Sequence, residues 1–496
     1  MFSVFQIGLT VGRGHANFAG NSSPDEEGTQ MASPVFYFSR KSRLGFLIFF
    51  LGLTAAAGAK GRFFGDDLVE FKPSGYFRVE QSQGVFWFVT PDGYAFFSMG
   101  VNHLGPEGYY SPRLGYSPYQ KNILALYKTE QAWSVQTRER LEQWGFNTIG
   151  AWGKRELFAE FPYVRQLNFS ALGGGDWLKG SFPDVFDPQW EKLVQAEAQK
   201  LCAPLKDDPW LVGYFTDNEL HFGPDWRNSQ TLVHVFMALP ASAAGKQELV
   251  RFFRANYGDD FSRFEKVWKS HVRNFDELYE AKELGAGWWL CRSRIAKDVD
   301  AFNGLVAERY FSVVSRAIKS QDPNHLLLGC RFHALGVSPS VVKSAGKWMD
   351  VVSINYYYMT PLQEILPPLF GGVDFRGWMK KYYELSGKPL LATEFSYRAV
   401  TSGLPNTKGA PVTVFSQADR GRAYAYYAGR CQAAPYIIGY HWFNYMDEPR
   451  SGRFDGENSN YGLVNERDRP YEKLTRKISR VNGQAVSKHL ASAERN

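Results

Sequence analysis

The stretch that decides the fold is LVGYFTDNEL, residues 211–220. An apolar and aromatic run ends abruptly in Thr216, Asp217, Asn218 and Glu219, groups that are costly to bury without partners. The run itself reads as a core strand. Its polar end either delivers a carboxylate to a site or runs out into solvent. The dipeptide alone does not choose, because Asn465–Glu466 repeats it in a plain polar loop.

Working outward, the chain alternates amphipathic helices with short apolar strands. Asp187 and Pro188 make an N-cap and first-turn pair, opening a helix with Trp190, Leu193, Val194, Ala198 and Leu201 on one face. An earlier helix over 134–144 stops at Gly145 and feeds FNTIGAW, a second strand, and YVRQLNF from Tyr163 is a weaker third. The first core strand is 95–101, reached through runs broken at Gly84 and at Pro91-Asp92-Gly93, a hairpin signal. After the fourth strand come helical periods over 220–324. Strands then resume as HLLLGCRFH, DVVSINYYY, PLLATEFS and YIIGYHWFNY.

Eight such strands predict a (β/α)8 TIM barrel over 95–480, with N-terminal strands over 60–94 and a helical insertion over 220–324. A doubly wound dinucleotide fold is disfavoured, since no glycine-rich phosphate loop follows the first strand. No internal repeat points to a solenoid or propeller.

In a parallel barrel the chemistry sits at the carboxyl ends of the strands. Those ends are Asn102 and His103, then Trp152, then Asn218 and Glu219. Arg331 and His333, Asn355 and Tyr357, Glu394, and finally His441, Trp442 and Asn444 follow. Two are carboxylates on opposite sides of the mouth. Glycoside hydrolysis needs such a pair, one protonated to donate to the departing oxygen and one ionised to attack. Arg331 and a hydrogen bond from Tyr357 would keep Glu394 ionised as nucleophile, leaving Glu219 as acid/base. Asn218 reads as a hydrogen-bond donor to a sugar hydroxyl, and Trp442 as a stacking floor. Asn102, His103, Trp152, His333 and Asn355 complete the predicted substrate-binding set.

DNEL and TEFS at the ends of the fourth and seventh strands resemble the paired glutamates of clan A retaining glycoside hydrolases. FWFVTPDGYAFFSMGVNH, LGCRFH, DVVSINYY and YGLVNERDRPYEKL resemble the family 50 β-agarases and their relatives. The resemblance, over most of residues 75–475, implies hydrolysis of β-linked galactan chains by double displacement, with Glu219 and Glu394 as the catalytic pair and no cofactor. Two other readings stand beside it. One is a β-galactosidase or β-glucanase of the same clan, and the other a carbohydrate-binding barrel without turnover.

The rest of the chain narrows the setting. Fourteen Trp, 27 Tyr and 39 Phe in 496 residues suit both a core and the walls of a sugar cleft. Residues 31–59 read as a secretory signal: Arg40, Lys41 and Arg43, then LGFLIFFLGL, then a small-residue cleavage site ending at Ala59. That predicts a secreted or periplasmic protein started at Met1 or Met31. The apolar core is too short to span a bilayer, so no stable membrane insertion is expected. Residues 1–59 hold four basic and three acidic side chains, so the processed chain keeps +6 of the formal +7. The charge is dispersed, which argues against nucleic acid. Cys202, Cys291, Cys330 and Cys431 show no metal-type spacing and read as free thiols, with one disulfide possible. His103, His221, His333 and His441 near strand ends also lack ligand spacing, so no metal is expected. The segment 447–462 reads as a polar loop over the cleft, with Asp447 and Glu448 as candidate sugar contacts. Trp226, Trp288 and Trp289 read equally well as core or cleft.

Overall fold

The computed structural model describes residues 61–493 apart from 286, 288, 335, 336, 358, 360–373 and 411. The expected signal and the segment upstream of it lie outside the described residues, as do Trp288 and the side chain of Trp289. Among the described residues no helix is long and apolar enough to cross a membrane. All four cysteines are free thiols.

Asp66–Glu70 (β1), Arg78–Ser82 (β2), Val85–Val89 (β3) and Tyr94–Phe96 (β4) form an antiparallel sheet in the order β1-β4-β3-β2. Gln83 and Gly84 join β2 to β3 with left-handed φ of 51° and 80°, the backbone a two-residue hairpin requires. At Gly93 a Cβ would stand 2.4 Å from the Phe71 carbonyl oxygen, so the β3–β4 turn admits only glycine. The expected single strand over 95–101 divides. Phe96 ends β4, and Ser98–Val101 (β5) opens a different, parallel sheet. Phe97 between them is buried against Tyr440 and His489.

The parallel sheet continues through Thr148–Ile149 (β6), Tyr163–Gln166 (β7), Leu211–Phe215 (β8), Leu326–Leu327 (β9), Phe332–His333 (β10), Val352–Asn355 (β11) and Leu390–Phe395 (β12). Arg398–Ala399 (β13) and Thr413–Val414 (β14) make a small side pair, and Ile437–Trp442 (β15) returns to the main sheet. Its nine strands run β10-β11-β12-β15-β5-β6-β7-β8-β9. The structure is thus a mixed α/β fold on a curled parallel sheet, and the expected eight strands are nine because the fifth is broken. Gly329 (φ 84°) and Arg331 (φ 55°) turn the chain between β9 and β10. β8 is buried along its whole length, as a strand covered on both faces must be.

The antiparallel sheet lies at the amino ends of this sheet. Phe63 packs on Trp210 at 4.4 Å, Tyr76 on His325 at 5.3 Å, and the Phe86 N–H donates to the Pro435 carbonyl at 2.8 Å. Trp210 and His325 immediately precede β8 and β9, and Pro435 lies two residues before β15. The opposite rim, at the carboxyl ends, is left open.

Outside the sheet, the Asp187 side chain caps Pro188–Leu201 as predicted, although Leu193 turns out to be exposed. The helical insertion is shorter than 220–324. Arg292–Gln321 packs beside Pro188–Leu201 and Pro339–Trp348 as one of the outer helices, tied to them by Arg309–Glu191 and by Ser340–Asp300. The added material is Leu232–Met237, Ala244–Tyr257, Phe261–Trp268 and their connections.

Candidate active site

Five strand ends share one backbone feature. His103, Trp152, Asn168, Glu219 and Arg331 follow β5, β6, β7, β8 and β9, and each has φ between 49° and 65°. A non-glycine residue held there costs on the order of 1 kcal/mol or more. In a regular strand, neighbouring side chains point to opposite faces. The left-handed turn at Glu219 lets Asn218 and Glu219 approach the same partner: the Asn355 amide donates to Glu219 Oε1 at 3.0 Å and to Asn218 Oδ1 at 3.2 Å. The Glu219 N–H is tied to the carbonyls of Cys330 and Arg331.

Across the rim, Glu394 in β12 points inward while Phe395 points outward and stacks on Tyr427 at 3.9 Å. Glu394 Oε1 pairs with Arg331 Nη2, and Oε2 accepts from the Tyr357 hydroxyl at 2.6 Å. Arg331 Nε also donates to Asn218 Oδ1 at 2.9 Å. The two carboxylates are therefore linked through Asn355, Asn218 and Arg331. Thr393 holds the other end of the Asn355 amide, its hydroxyl donating to Oδ1 at 2.7 Å.

Arg331 is fully buried, with its guanidinium 4.6 Å from the Trp152 ring and 5.0 Å from Phe215. Trp152 in turn stacks on His103 at 4.5 Å. Burial, with the charges of Arg453 and Arg331, holds the His103 pKa well below its usual value, so the ring stacks as neutral imidazole. Asn102 is also buried. It donates to the Thr393 carbonyl and accepts from the Ala151 N–H, stitching β5, β6 and β12 together.

A cavity of about 370 Å³ opens over the two carboxylates. Trp177, Trp226, His333, Tyr357, Phe443 and Tyr461 supply its aromatic wall; Arg453, Glu457, Gly409 and Ala410 complete it. Of the predicted site residues, Glu219, Glu394, His333 and Tyr357 line it. Asn102, His103, Trp152, Asn218, Arg331 and Asn355 are behind or beside them.

Trp442 is a correction. It is fully buried, donates from its indole to the Tyr461 carbonyl at 3.0 Å, and packs on Phe395 and Tyr424. One step in register reverses the face of a strand residue, and it is Phe443 that reaches the cavity. Asp447 and Glu448 are corrected likewise. Asp447 accepts from Tyr471, Asn460 and the Gly462 N–H, and Glu448 accepts from the Ser459 N–H. Both serve their own loop, which presents Arg453 and Glu457 instead. Trp177 has no signal in the sequence, yet its indole donates to Glu219 Oε2 at 3.2 Å. Among the described residues no group of three or more His, Cys, Asp or Glu is arranged to hold a metal ion.

The two carboxylates have different surroundings. Burial pushes the Glu394 pKa up to about 7, opposed by the Arg331 charge, raised further by the neighbouring Glu219, and opposed again by the Tyr357 hydrogen bond. The Tyr357 phenol is itself pushed well up by burial and by Glu394, so it stays a donor. Glu394 faces a cation and a hydroxyl, whereas the side-chain donors to Glu219 are the neutral Asn355 amide and Trp177 indole.

Paired glutamates at the carboxyl ends of parallel strands, under an aromatic cavity, define a class of site suited to acid/base and nucleophilic work. The particular proteins it resembles are β-agarases. The chain is 31% identical over 377 residues to β-agarase B of Vibrio sp. (strain JT0107), and 30% identical over 409 residues to β-agarase A of the same strain. These alignments take in 72% and 78% of this chain but 36% and 39% of those proteins, so the chain spans less than two-fifths of the curated relatives it matches. Among solved structures it is similar to the agarase AgWH50C, with TM-score 0.71 and 26% identity over 87% of this chain and 68% of that one. No protein-family model matches the chain.

Proposed function

We propose that the protein is a secreted glycoside hydrolase that cleaves β-linked, agarose-type galactan with retention. One observation carries the mechanism: Glu394 is held by Arg331 and Tyr357, while among the described residues the side-chain donors to Glu219 are the neutral Asn355 amide and Trp177 indole. Glu394 then attacks the anomeric carbon as Glu219 protonates the leaving oxygen. Glu219 next takes a proton from water as that water releases the sugar from Glu394. The similarity to β-agarases supports the galactan. The aromatic wall of Trp177, Trp226 and Phe443 supports a pyranose ring stacked over the carboxylates.

For the scaffold, the proposal is a closed (β/α)8 barrel. β9 and β10 belong to one segment, 326–333, which is bonded to β8 on one side and to β11 on the other. Joining them in this way makes eight units of the nine strands and leaves no free edge. Export rests on the signal-like segment 31–59.

The test is turnover of agarose, carrageenan, β-glucans and aryl β-galactosides, with the product anomer followed by NMR. Agarose is the expected substrate, and the first-formed product keeps the β configuration. Net inversion would falsify the two-step mechanism, and binding without turnover of any β-glycan would favour a non-catalytic barrel.

A further inference from the structure

The run GPDWRNSQ, residues 223–230, reads as a polar surface loop, yet the Arg227 side chain within it is only 4% exposed. It is not among the residues that line the cavity, and its guanidinium grips three that do. Nη2 donates to the backbone carbonyl of Glu219 at 2.7 Å, and Nη1 to that of Trp177 at 3.1 Å. The Arg227 guanidinium lies 4.6 Å from the Trp226 ring and 5.4 Å from Trp177, two indoles of the cavity wall that meet edge to face at 6.4 Å. Asp225 takes two further donors of the fork, at 2.6 Å to Nη2 and 3.2 Å to Nε. His221 secures Asp225 from behind, with its other ring nitrogen against the Gln230 carbonyl at 2.8 Å.

Both ends of the Trp177–Glu219 hydrogen bond are thus anchored by one planar group. A strained residue such as Glu219 keeps its conformation only when its surroundings over-determine it. The bond to its carbonyl is one of those constraints. Arginine suits the task because its fixed fork reaches two acceptors while its faces stack on rings; lysine supplies a charge but neither property.

We infer that Arg227 is a positioning residue, which locks the Glu219 carboxyl and the Trp177/Trp226 wall into one unit facing the leaving group. The kinetic consequence rests on the hydrolase reading above; the anchoring itself does not.

Two measurements on the full chain separate these. The first is the indole ¹⁵N–¹H resonance of Trp177, assigned by its loss in Trp177→Phe. In Arg227→Ala it moves toward the solvent-exposed position, and in Arg227→Lys it does not return. The second is kcat/KM for two glycosides of an accepted sugar, one with an alkyl and one with a dinitrophenyl leaving group. Only the alkyl group needs protonation, so Arg227→Ala loses about 10- to 100-fold on it and less than about threefold on the other.

An equal loss on both substrates means general damage and overturns the inference, as does full recovery in Arg227→Lys or an unmoved Trp177 resonance. Should Arg227→Ala fail to fold, Arg227→Gln, which keeps bulk beside the indoles and one donor group, carries the same readouts. If the wild-type protein turns over no glycan, the hydrolase reading falls, and the Trp177 resonance alone decides the anchoring.

Discussion

The two ends of the parallel sheet both bury charge, and they do so in opposite ways. At the amino end Asp322 accepts from the Tyr214 hydroxyl at 2.6 Å and pairs with His325 Nδ1 at 2.6 Å, while His325 Nε2 reaches the Asp208 carbonyl at 2.8 Å. Burial would raise the Asp322 pKa, but the His325 and Tyr214 hydrogen bonds more than offset it, and the group is held below its usual value. At the carboxyl end the Glu394 pKa is pushed up to about 7, five strand ends carry left-handed φ, and Arg331 Nη1 is buried without a hydrogen-bond partner among the described residues. The closed network stabilises the ionised form it holds. The open one keeps two carboxylates in each other's field, which costs stability and leaves a proton free to move.

The comparison breaks most sharply by removing the rim carboxylates. Glu394→Gln is expected to lower kcat/KM on agarose by at least about 10³-fold, and Glu219→Gln by about 10²- to 10⁴-fold, with oligosaccharide binding retained in isothermal titration. Turnover within tenfold of wild type in either variant would remove that residue from the mechanism.

The amino end should behave in reverse. Asp322→Ala strands a buried histidine and tyrosine, and a loss of about 3–5 kcal/mol is expected in urea unfolding. Activity per folded molecule should be unchanged. Glu394→Gln should instead gain stability, and the sign follows from linkage. The folded-state pKa of Glu394 lies above the ordinary 4.5, so the folded protein binds the proton more tightly, and wild-type stability falls as pH rises from about 4.5 to 7. The neutral glutamine escapes that loss. Its advantage should be about 1–3 kcal/mol at pH 8 and close to zero near pH 4; equal stability at both pH values would mean that Glu394 bears no strain.

The contrast between the ends was legible in part from the sequence, and for a physical reason. Mostly apolar runs such as those leading to Glu219, Asn355 and Glu394 mark strands buried on both faces, and a polar residue closing such a run has few places to go but the rim. Arg331 and Tyr357 were readable on the same ground. Trp177 and Arg227 were not, since loops bring them to Glu219 through contacts that no periodicity records. The break at Gly329 was hidden inside the apolar run HLLLGCRFH. At Trp442–Phe443 the strand was readable and its face was not, because the change of face depends on a single residue of register. In the loop 447–462 all the acids looked alike, and only folding separates Asp447 and Glu448, which bind their own backbone, from Glu457 at the cavity.

The smallest effect tests the rim most finely. Tyr357→Phe removes one hydroxyl from Glu394 and leaves Arg331, the ring and the backbone in place. That hydroxyl favours the carboxylate, so without it the Glu394 pKa rises beyond about 7. Less nucleophile is then ionised at any acidic pH, and the acid limb of kcat/KM should move upward by somewhat less than about one pH unit. At pH 8 and above, where Glu394 is ionised in both proteins, the loss should shrink to about tenfold or less. A limb that stays in place while the plateau falls would mean that Tyr357 acts on the sugar and not on Glu394, and the asymmetry between the two carboxylates would then rest on Arg331 alone.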